Sequence, residues 1–140
     1  AVARLSQQYV HTFIVSNQQG IGKGLFTMAD ADDIHRHVQA NVEAAGGHID
    51  AIYICPDLKE NNSPNRKPAI GMALQAIADY PGVQLTDSVM IGDSVSDMLF
   101  GWQAGMRCIY LTNGEPVPAG VRDYTDLVCL DLADASVLFS

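Results

Sequence analysis

The stretch Ser88-Val-Met-Ile-Gly-Asp93-Ser-Val-Ser-Asp97 decides the fold of this chain. Its apolar residues predict a buried strand, and Gly92 lets the backbone turn sharply where that strand ends. Asp93 and Asp97 follow where a helix is predicted to begin. An open α/β sheet builds its site in this order, at the carboxyl edge of the strands. Taken alone, the two acids fit either a cation site or the N-terminal cap of a helix.

Apolar strand patterns alternate with helical patterns along the rest of the chain. Strands are predicted at Thr12–Ser16, Asp50–Cys55, Val89–Ile91, Cys108–Leu111 and Asp126–Leu130. Helices are predicted over residues 1–9, from Thr27 to about Ala45, from Pro68 to about Tyr80, from Asp97 to Ala104, and over Asp131–Phe139. Such alternation is typical of βαβ units with a parallel sheet covered on both faces, here in one domain over residues 1–140. Phe100 and Trp102 are expected to pack their helix onto the sheet.

Composition excludes several classes of protein. A net charge of −8 on 140 residues argues against a general nucleic-acid binder, which needs a basic surface. No apolar run approaches the roughly 20 residues of a membrane span. The three cysteines have no paired spacing and are expected to be buried, reduced thiols. With no signal peptide at the start, the expectation is a cytoplasmic protein, and we expect a monomer.

Half of the cations fall in two loops that each follow a strand, namely Lys23, Lys59, Arg66 and Lys67. The loop after the first predicted strand begins with Ser16 and Asn17 and continues with Gly20, Gly22 and Gly24. Its hydroxyl, amide and backbone N–H groups could hold a phosphate, although a plain flexible turn has the same composition. Arg66 and Lys67 fit an anion site or a solvated surface pair. Their position at one sheet edge favours an anion.

Three segments together resemble the haloacid dehalogenase (HAD) superfamily of phosphotransferases. Val15-Ser-Asn-Gln-Gln-Gly-Ile-Gly-Lys-Gly24 is similar to the second motif of that family, and Arg66-Lys-Pro-Ala-Ile-Gly-Met72 is similar to the third. Met90-Ile-Gly-Asp-Ser-Val-Ser-Asp97, with Ala104-Gly105, is similar to the fourth. The chain most resembles the branch of histidinol phosphatases and heptose-bisphosphate phosphatases. The resemblance implies a three-layer, Rossmann-like parallel sheet without a large cap domain.

The resemblance also implies roles for individual residues. Lys67, Ser16 and Asp97 would be catalytic, with Lys67 neutralising the transferring phosphoryl group and Asp97 supporting the metal or orienting Lys67. Asp93 would be a Mg²⁺ ligand, which suits the preference of this ion for a few carboxylates and retained waters. Phosphate and substrate would be bound by Ser16, Asn17, Gln18, Gly20, Arg66 and Lys67.

Two features depart from the family pattern. Zinc-bearing members of the branch have Cys-x-His and Cys-x-Cys before Arg-Lys-Pro, whereas the segment Cys55–Asn65 holds one cysteine and no histidine. We therefore predict no structural zinc. The first motif, Asp-x-Asp on a central strand, is also absent. Without that strand a gap of ~9.6 Å is expected between Thr12–Ser16 and Val89–Ile91, and roughly 30–45 native residues are expected to precede the sequence.

The leading interpretation is a Mg²⁺-dependent phosphomonoesterase that acts through a phospho-aspartyl intermediate whose nucleophile is not in this chain. A sugar phosphate, a sugar bisphosphate or histidinol phosphate fits the branch, which would place the protein in carbohydrate metabolism or histidine biosynthesis. A polynucleotide 3′-phosphatase is an alternative enzyme that the acidic balance disfavours. A non-catalytic phosphate-binding or regulatory module is the alternative from another class. A response-regulator receiver domain is rejected because the lysine precedes the aspartate cluster.

Overall fold

Strands and helices alternate in the computed structural model, which describes residues 1–137 except for the side chains of Gln19 and Lys59. The strands are β1 (Phe13–Asn17), β2 (Ala51–Cys55), β3 (Val89–Gly92), β4 (Arg107–Leu111) and β5 (Leu127–Cys129). The helices are α1 (Val2–Ser6), α2 (Gln19–Gly22), α3 (Met28–Ala44), α4 (Gly71–Asp79), α5 (Val95–Gln103) and α6 (Leu132–Val137). The predicted α/β class is confirmed. The predicted end of the last helix, at Phe139, lies outside the described residues.

All strand pairs are parallel, but the strands form two sheets. One sheet has the order β1-β2, with Phe13 opposite Ala51, and the other has the order β3-β4-β5. Within the described residues β1 and β3 are not hydrogen-bonded to each other, directly or through another strand. Both strands line a cleft of about 780 Å³. The cleft therefore lies where the sequence predicts a gap beside the strand Thr12–Ser16.

The helix α3 shows how the sequence sets an element boundary. The Thr27 Oγ1 accepts a hydrogen bond from the Asp30 N–H at 3.1 Å, and the Asp30 carboxylate accepts one from the Thr27 N–H at 3.0 Å. These two bonds satisfy backbone donors that the first helical turn leaves free. They also hold the pKa of Asp30 below its ordinary value. At the other end Gly46, with φ of 87°, adopts the left-handed backbone that terminates a helix.

One buried cluster contains residues of both sheets and of the helices that cover them. The helix α4 packs on β2, and α5 packs on β3 and β4. The cluster consists of Tyr53, Cys55, Met72, Ala73, Ala76, Met90, Met98, Phe100, Cys108, Tyr110 and Val121. The two sheets are thus joined through side-chain packing.

The aromatic residues of α5 behave differently from each other. Phe100 is fully buried in the core, as expected. The expectation for Trp102 is wrong, because 56% of its surface is exposed and its ring packs edge-on against Tyr124, with centroids 5.1 Å apart. The sequence suggests a single apolar helix face, but Trp102 lies beside the 3₁₀ turn Val121–Tyr124 rather than over the sheet.

The three cysteines are free thiols, as predicted. Cys55 and Cys108 are buried, and Cys129 is half-buried. Burial, together with the Asp126 carboxylate, raises the pKa of Cys108 to about 11. Cys108 therefore remains a protonated thiol at neutral pH and behaves as a small apolar core residue.

Among residues 1–137 the structure contains no helix with the length and apolarity that a membrane crossing requires.

Two substitutions on α4 test the position of the core. Met72 is fully buried, whereas Leu74, two residues further along the same helix, is 53% exposed. We expect Met72→Ala to lower the free energy of unfolding by about 2–5 kcal/mol, because it removes buried atoms and leaves a cavity. Leu74→Ala should change it by no more than about 0.5 kcal/mol. Urea denaturation of both variants measures the difference, and equal effects would contradict this placement of the core.

Candidate functional site

The polar residues predicted from the motifs meet at the carboxyl ends of β1 and β3. Ser16 and Asn17 end β1, while Gly92 ends β3 and is followed directly by Asp93. Because parallel strands all end at the same edge of a sheet, loops from distant parts of the sequence converge there. Lys67, from the loop between β2 and α4, is the residue on which these contacts centre.

The Lys67 ammonium group is buried between β1 and α5. Its Nζ donates to the Val15 carbonyl oxygen at 3.0 Å and to Asp97 Oδ1 at 2.5 Å. The two side chains of the ion pair are only 10% and 9% exposed. An ammonium group has three N–H donors, so these two contacts leave one for a further acceptor. Lys67 lines the 780 Å³ cleft, together with Asp93 and Asp97.

Asp97 uses both of its carboxylate oxygens within the protein. Oδ1 accepts from Lys67, and Oδ2 accepts from the Asp93 backbone N–H at 3.2 Å. The Asp97 backbone N–H donates to the Ser94 Oγ at 3.1 Å, which caps α5. Of the two roles expected for Asp97, the contacts favour the orientation of Lys67. Asp97 also lies in the first turn of α5, as the helix-cap interpretation expects, whereas the cation-site interpretation of the acidic pair stays a prediction.

Gly92 is required by the position of Asp97. A Cβ atom at residue 92 would lie 2.4 Å from the Asp97 Cβ and 2.5 Å from its Oδ2. Real Cβ atoms essentially never approach other atoms so closely, so a side chain here would displace the carboxylate that holds Lys67. The glycine of the Gly-Asp pair thus supplies space as well as a turn.

Asn17 makes two hydrogen bonds to the backbone of a single residue. Its Oδ1 accepts from the Lys67 N–H at 2.9 Å, and its Nδ2 donates to the Lys67 carbonyl oxygen at 3.2 Å. The loop that carries Lys67 is thereby fixed to the end of β1. Sequence reasoning places Asn17 beside the phosphoryl group and does not anticipate these contacts, which join residues 50 positions apart.

The Ser16 hydroxyl accepts a hydrogen bond from Gln18. The Gln18 Nε2 lies 2.8 Å from the Ser16 Oγ, and the Gln18 backbone N–H donates to the Cys55 carbonyl oxygen at 2.7 Å. Because the Oγ acts as the acceptor in this contact, the hydroxyl proton can point away from Gln18. The arrangement presents Ser16 as a donor at the end of β1.

The glycine-rich segment after β1 differs from the predicted open loop. Residues Gln19–Gly22 form the short helix α2, and the N–H groups of Gly22 and Gly24 donate within the protein, to Pro56 and Ile21. These two N–H groups are therefore not available as a phosphate cradle. Gly20 packs against Phe26, where a Cβ would lie 2.3 Å from the ring. Its assignment to phosphate binding stays a prediction.

Arg66 precedes Lys67, and one of its guanidinium nitrogens is buried without a partner in the described part of the chain. A buried guanidinium nitrogen without an acceptor costs free energy, so a ligand oxygen there would be stabilising. Arg66 is thus a candidate substrate contact, as the motif implies.

Asp93 is the exposed carboxylate of the site. Within residues 1–137 no group of three or more His, Cys, Asp or Glu side chains is arranged to hold a metal ion. Mg²⁺ is commonly bound by one or two carboxylates together with waters and substrate phosphates. With Asp97 occupied by Lys67, the donor set fits a Mg²⁺ ion held by Asp93 and by a phosphorylated ligand.

The parallel α/β fold and this edge of lysine, serine and aspartates define the class of HAD-like hydrolases. The HAD-hydrolase-like family model matches residues 64–135, just over half of the chain. The chain is 34% identical over 126 residues to the D-glycero-α-D-manno-heptose-1,7-bisphosphate 7-phosphatase of Mycobacterium tuberculosis. That alignment covers 88% of this chain but 66% of the relative, so the chain spans slightly less than two thirds of the relative's length.

A second relative and a solved structure extend the similarity. The chain is 33% identical over 141 residues to the D-glycero-β-D-manno-heptose-1,7-bisphosphate 7-phosphatase of Bordetella bronchiseptica, with 95% of this chain and 75% of the relative covered. The crystal structure of the D,D-heptose 1,7-bisphosphate phosphatase from B. bronchiseptica, complexed with magnesium and phosphate, matches with a TM-score of 0.82 at 31% identity. The match covers 98% of the present chain and 78% of the B. bronchiseptica chain. The chain belongs to the HAD hydrolase family, and the two relatives described above bear the name of heptose-1,7-bisphosphate 7-phosphatases.

The ion pair predicts a strong energetic coupling between Lys67 and Asp97. We expect Lys67→Met and Asp97→Asn each to lower the free energy of unfolding by about 3–5 kcal/mol, because each leaves an uncompensated buried group. The double variant should be destabilised by clearly less than the sum of the two. Chemical denaturation of the four proteins gives the coupling, and strict additivity would contradict the pair as described.

The contact of Gly92 with Asp97 generates a separate prediction. Gly92→Ala should lower the free energy of unfolding by about 1–3 kcal/mol, because the new Cβ displaces the Asp97 side chain. Gly82 is the matched control, since a Cβ there would meet no atom within 4 Å. Thermal or urea unfolding compares the two alanine variants. A Gly92 variant as stable as the Gly82 variant would show that the site tolerates a Cβ.

Proposed function

We propose that this protein is a Mg²⁺-dependent phosphomonoesterase that acts on a small phosphorylated sugar. The observation that carries the proposal is the buried Lys67 ammonium group, which lies between Val15 and Asp97 and has one N–H without an acceptor among the described residues. A cation about 4 Å from an anionic oxygen contributes on the order of 4 kcal/mol at an effective dielectric constant of ~20. Charge neutralisation and positioning are what phosphoryl transfer requires.

Different residues at the strand ends provide the charge neutralisation and the positioning. The Ser16 hydroxyl donates to a phosphoryl oxygen, and the third N–H of Lys67 neutralises the charge on that group as it is transferred. Arg66 contacts the remainder of the substrate with the guanidinium nitrogen that has no hydrogen-bond partner among the described residues. Gln18 sets the orientation of the Ser16 hydroxyl. Gly20 allows the backbone to approach the phosphoryl group closely.

Asp93 would hold the Mg²⁺ ion, which when bound polarises the phosphoryl oxygens. Asp97 does not contact the phosphoryl group in this proposal. It keeps Lys67 correctly placed, so it acts as a positioning residue. In the proposed transfer step an aspartate carboxylate attacks the phosphorus while the P–O bond to the sugar breaks, and the sugar leaves as a hydroxyl group that has taken up a proton. Water then hydrolyses the phospho-aspartate and releases inorganic phosphate and the free carboxylate. That aspartate is not one of the residues assigned here.

Two lines of support point to a sugar bisphosphate as the substrate. Relatives from M. tuberculosis and B. bronchiseptica bear the name of heptose-1,7-bisphosphate 7-phosphatases. A net charge of −8 disfavours a polynucleotide substrate, which would be repelled outside the immediate site. Carbohydrate metabolism is therefore preferred to histidine biosynthesis, and location in the cytoplasm stays a prediction of the sequence.

The natural protein tests the proposal directly. With Mg²⁺ present we expect release of inorganic phosphate from D-glycero-D-manno-heptose 1,7-bisphosphate, faster than from histidinol phosphate or from a 3′-phosphorylated oligonucleotide. Lys67→Ala should reduce kcat by about 100-fold or more, because it removes a cation from the developing charge. Addition of EDTA should abolish turnover.

Arg107 supplies the matched control for loss of a positive charge. It lies at the first residue of β4, at the amino end of the sheet, and is exposed. Arg107→Ala should leave kcat unchanged. Phosphate binding without turnover in the natural protein would instead support the non-catalytic phosphate-binding module.

A further inference from the structure

The side chain of Asn17 is committed to the backbone of Lys67. Its Oδ1 accepts from the Lys67 N–H at 2.9 Å and its Nδ2 donates to the Lys67 carbonyl oxygen at 3.2 Å. An asparagine amide has two N–H donors and one carbonyl oxygen. One donor and the oxygen are therefore used on the two peptide groups that flank the Lys67 Cα, and the Asn17 amide is held by two bonds rather than one.

We propose that Asn17 is a positioning residue that acts on a phosphate ligand through Lys67 and does not bind that ligand itself. The inference deepens the function proposed above, and its phosphate-binding part rests on that function. Sequence reasoning groups Asn17 with Ser16 as a direct phosphate contact, so the proposal changes its role.

The geometry explains why the Lys67 backbone must be held in place by the two Asn17 hydrogen bonds, which are called the Asn17 clamp below. The ammonium group must reach Val15 at 3.0 Å and Asp97 at 2.5 Å at the same time. The residue that carries it lies in the irregular segment between β2 and α4, where no strand or helix fixes the backbone. Asn17 belongs to β1, the strand that also supplies the Val15 acceptor. The clamp therefore sets both ends of the lysine side chain from one rigid strand.

The contrast with Ser16 makes the proposal specific. Within the described residues the Ser16 Oγ accepts a hydrogen bond from Gln18 and is not hydrogen-bonded to Lys67, so its hydroxyl proton can be donated to a ligand. Adjacent residues on a strand point to opposite faces. Two neighbouring polar residues thus serve one ligand by different routes, Ser16 by direct contact and Asn17 through the lysine.

A double-mutant cycle separates these routes, with inorganic phosphate as the probe and ³¹P NMR or calorimetry as the measurement. Asn17→Ala should weaken phosphate binding about tenfold, because the loss of both hydrogen bonds to the Lys67 backbone leaves the ammonium group less well placed. In a Lys67→Ala background the same change should weaken it by less than about twofold, because the group that Asn17 positions is already gone. The control cycle of Ser16→Ala with Lys67→Ala should be additive. Additive losses for Asn17 and Lys67 would overturn the proposal.

A second measurement needs no ligand and so remains decisive if phosphate does not bind. The coupling between Lys67→Met and Asp97→Asn, measured by denaturation, should fall by half or more when Asn17→Ala is introduced. Asn17→Leu, which keeps the volume of the side chain, should act in the same way and serves if the alanine variant folds poorly. A coupling that is unchanged in both variants would show that Asn17 does not position the lysine.

The two measurements distinguish the two proposals. If the wild-type protein binds no phosphate but the Lys67–Asp97 coupling depends on Asn17, the proposed function fails and the positioning role stands. If phosphate binds and the coupling is independent of Asn17, the positioning role fails alone.

Discussion

The arrangement of this protein depends on one buried ion pair, between the Lys67 ammonium group and the Asp97 carboxylate. Both side chains are about nine-tenths buried, so each would be strongly destabilising without the other. Lys67 also binds the Val15 carbonyl oxygen of β1, and Asp97 belongs to α5, which packs on β3 and β4. The pair therefore ties the two sheets at the edge where no strand pairing joins them. The ion pair therefore constrains how the two sheets pack, in addition to any chemical role.

The neighbouring residues follow from this constraint. Gly92 leaves room for the Asp97 side chain, and the Asp93 N–H satisfies the second carboxylate oxygen. Asn17 fixes the backbone from which the lysine side chain extends. Both oxygens of Asp97 already accept hydrogen bonds, whereas Asp93 is exposed, which favours Asp93 as the carboxylate for the proposed cation. Hydrogen bonding thus distinguishes Asp97, which has a structural role, from the exposed Asp93, although the two residues are only four positions apart.

The sequence predicts the parts of this structure that depend on local pattern. The alternation of strands and helices, the strand ends that carry Ser16 and Asp93, and the burial of Phe100 all follow from short stretches of residues. Contacts between distant residues leave no local signal. The clamp of Asn17 on Lys67 spans 50 positions, and His11 and His48 lie 3.6 and 3.5 Å from Asp50, an arrangement that pattern reasoning does not anticipate. The short helix α2 is missed because three glycines favour a loop on intrinsic propensity, whereas the backbone bond from Gly22 to Pro56 and the packing of Gly20 on Phe26 stabilise the observed turn.

An acidic protein can still hold an anion at this edge, and the reason lies in distance. With a Debye length of about 8 Å at physiological ionic strength, most of the net charge of −8 is screened from the site. The Lys67 ammonium group acts at contact distance and in a partly desolvated cleft, where a charge interaction is several times stronger than in water. Arg66 adds a guanidinium nitrogen that has no partner within the described residues. The same negative charge that is too remote to repel a small phosphate would act along the whole length of a polynucleotide. Local cations in an acidic surface are therefore consistent with the proposed preference for a small phosphorylated ligand over an extended one.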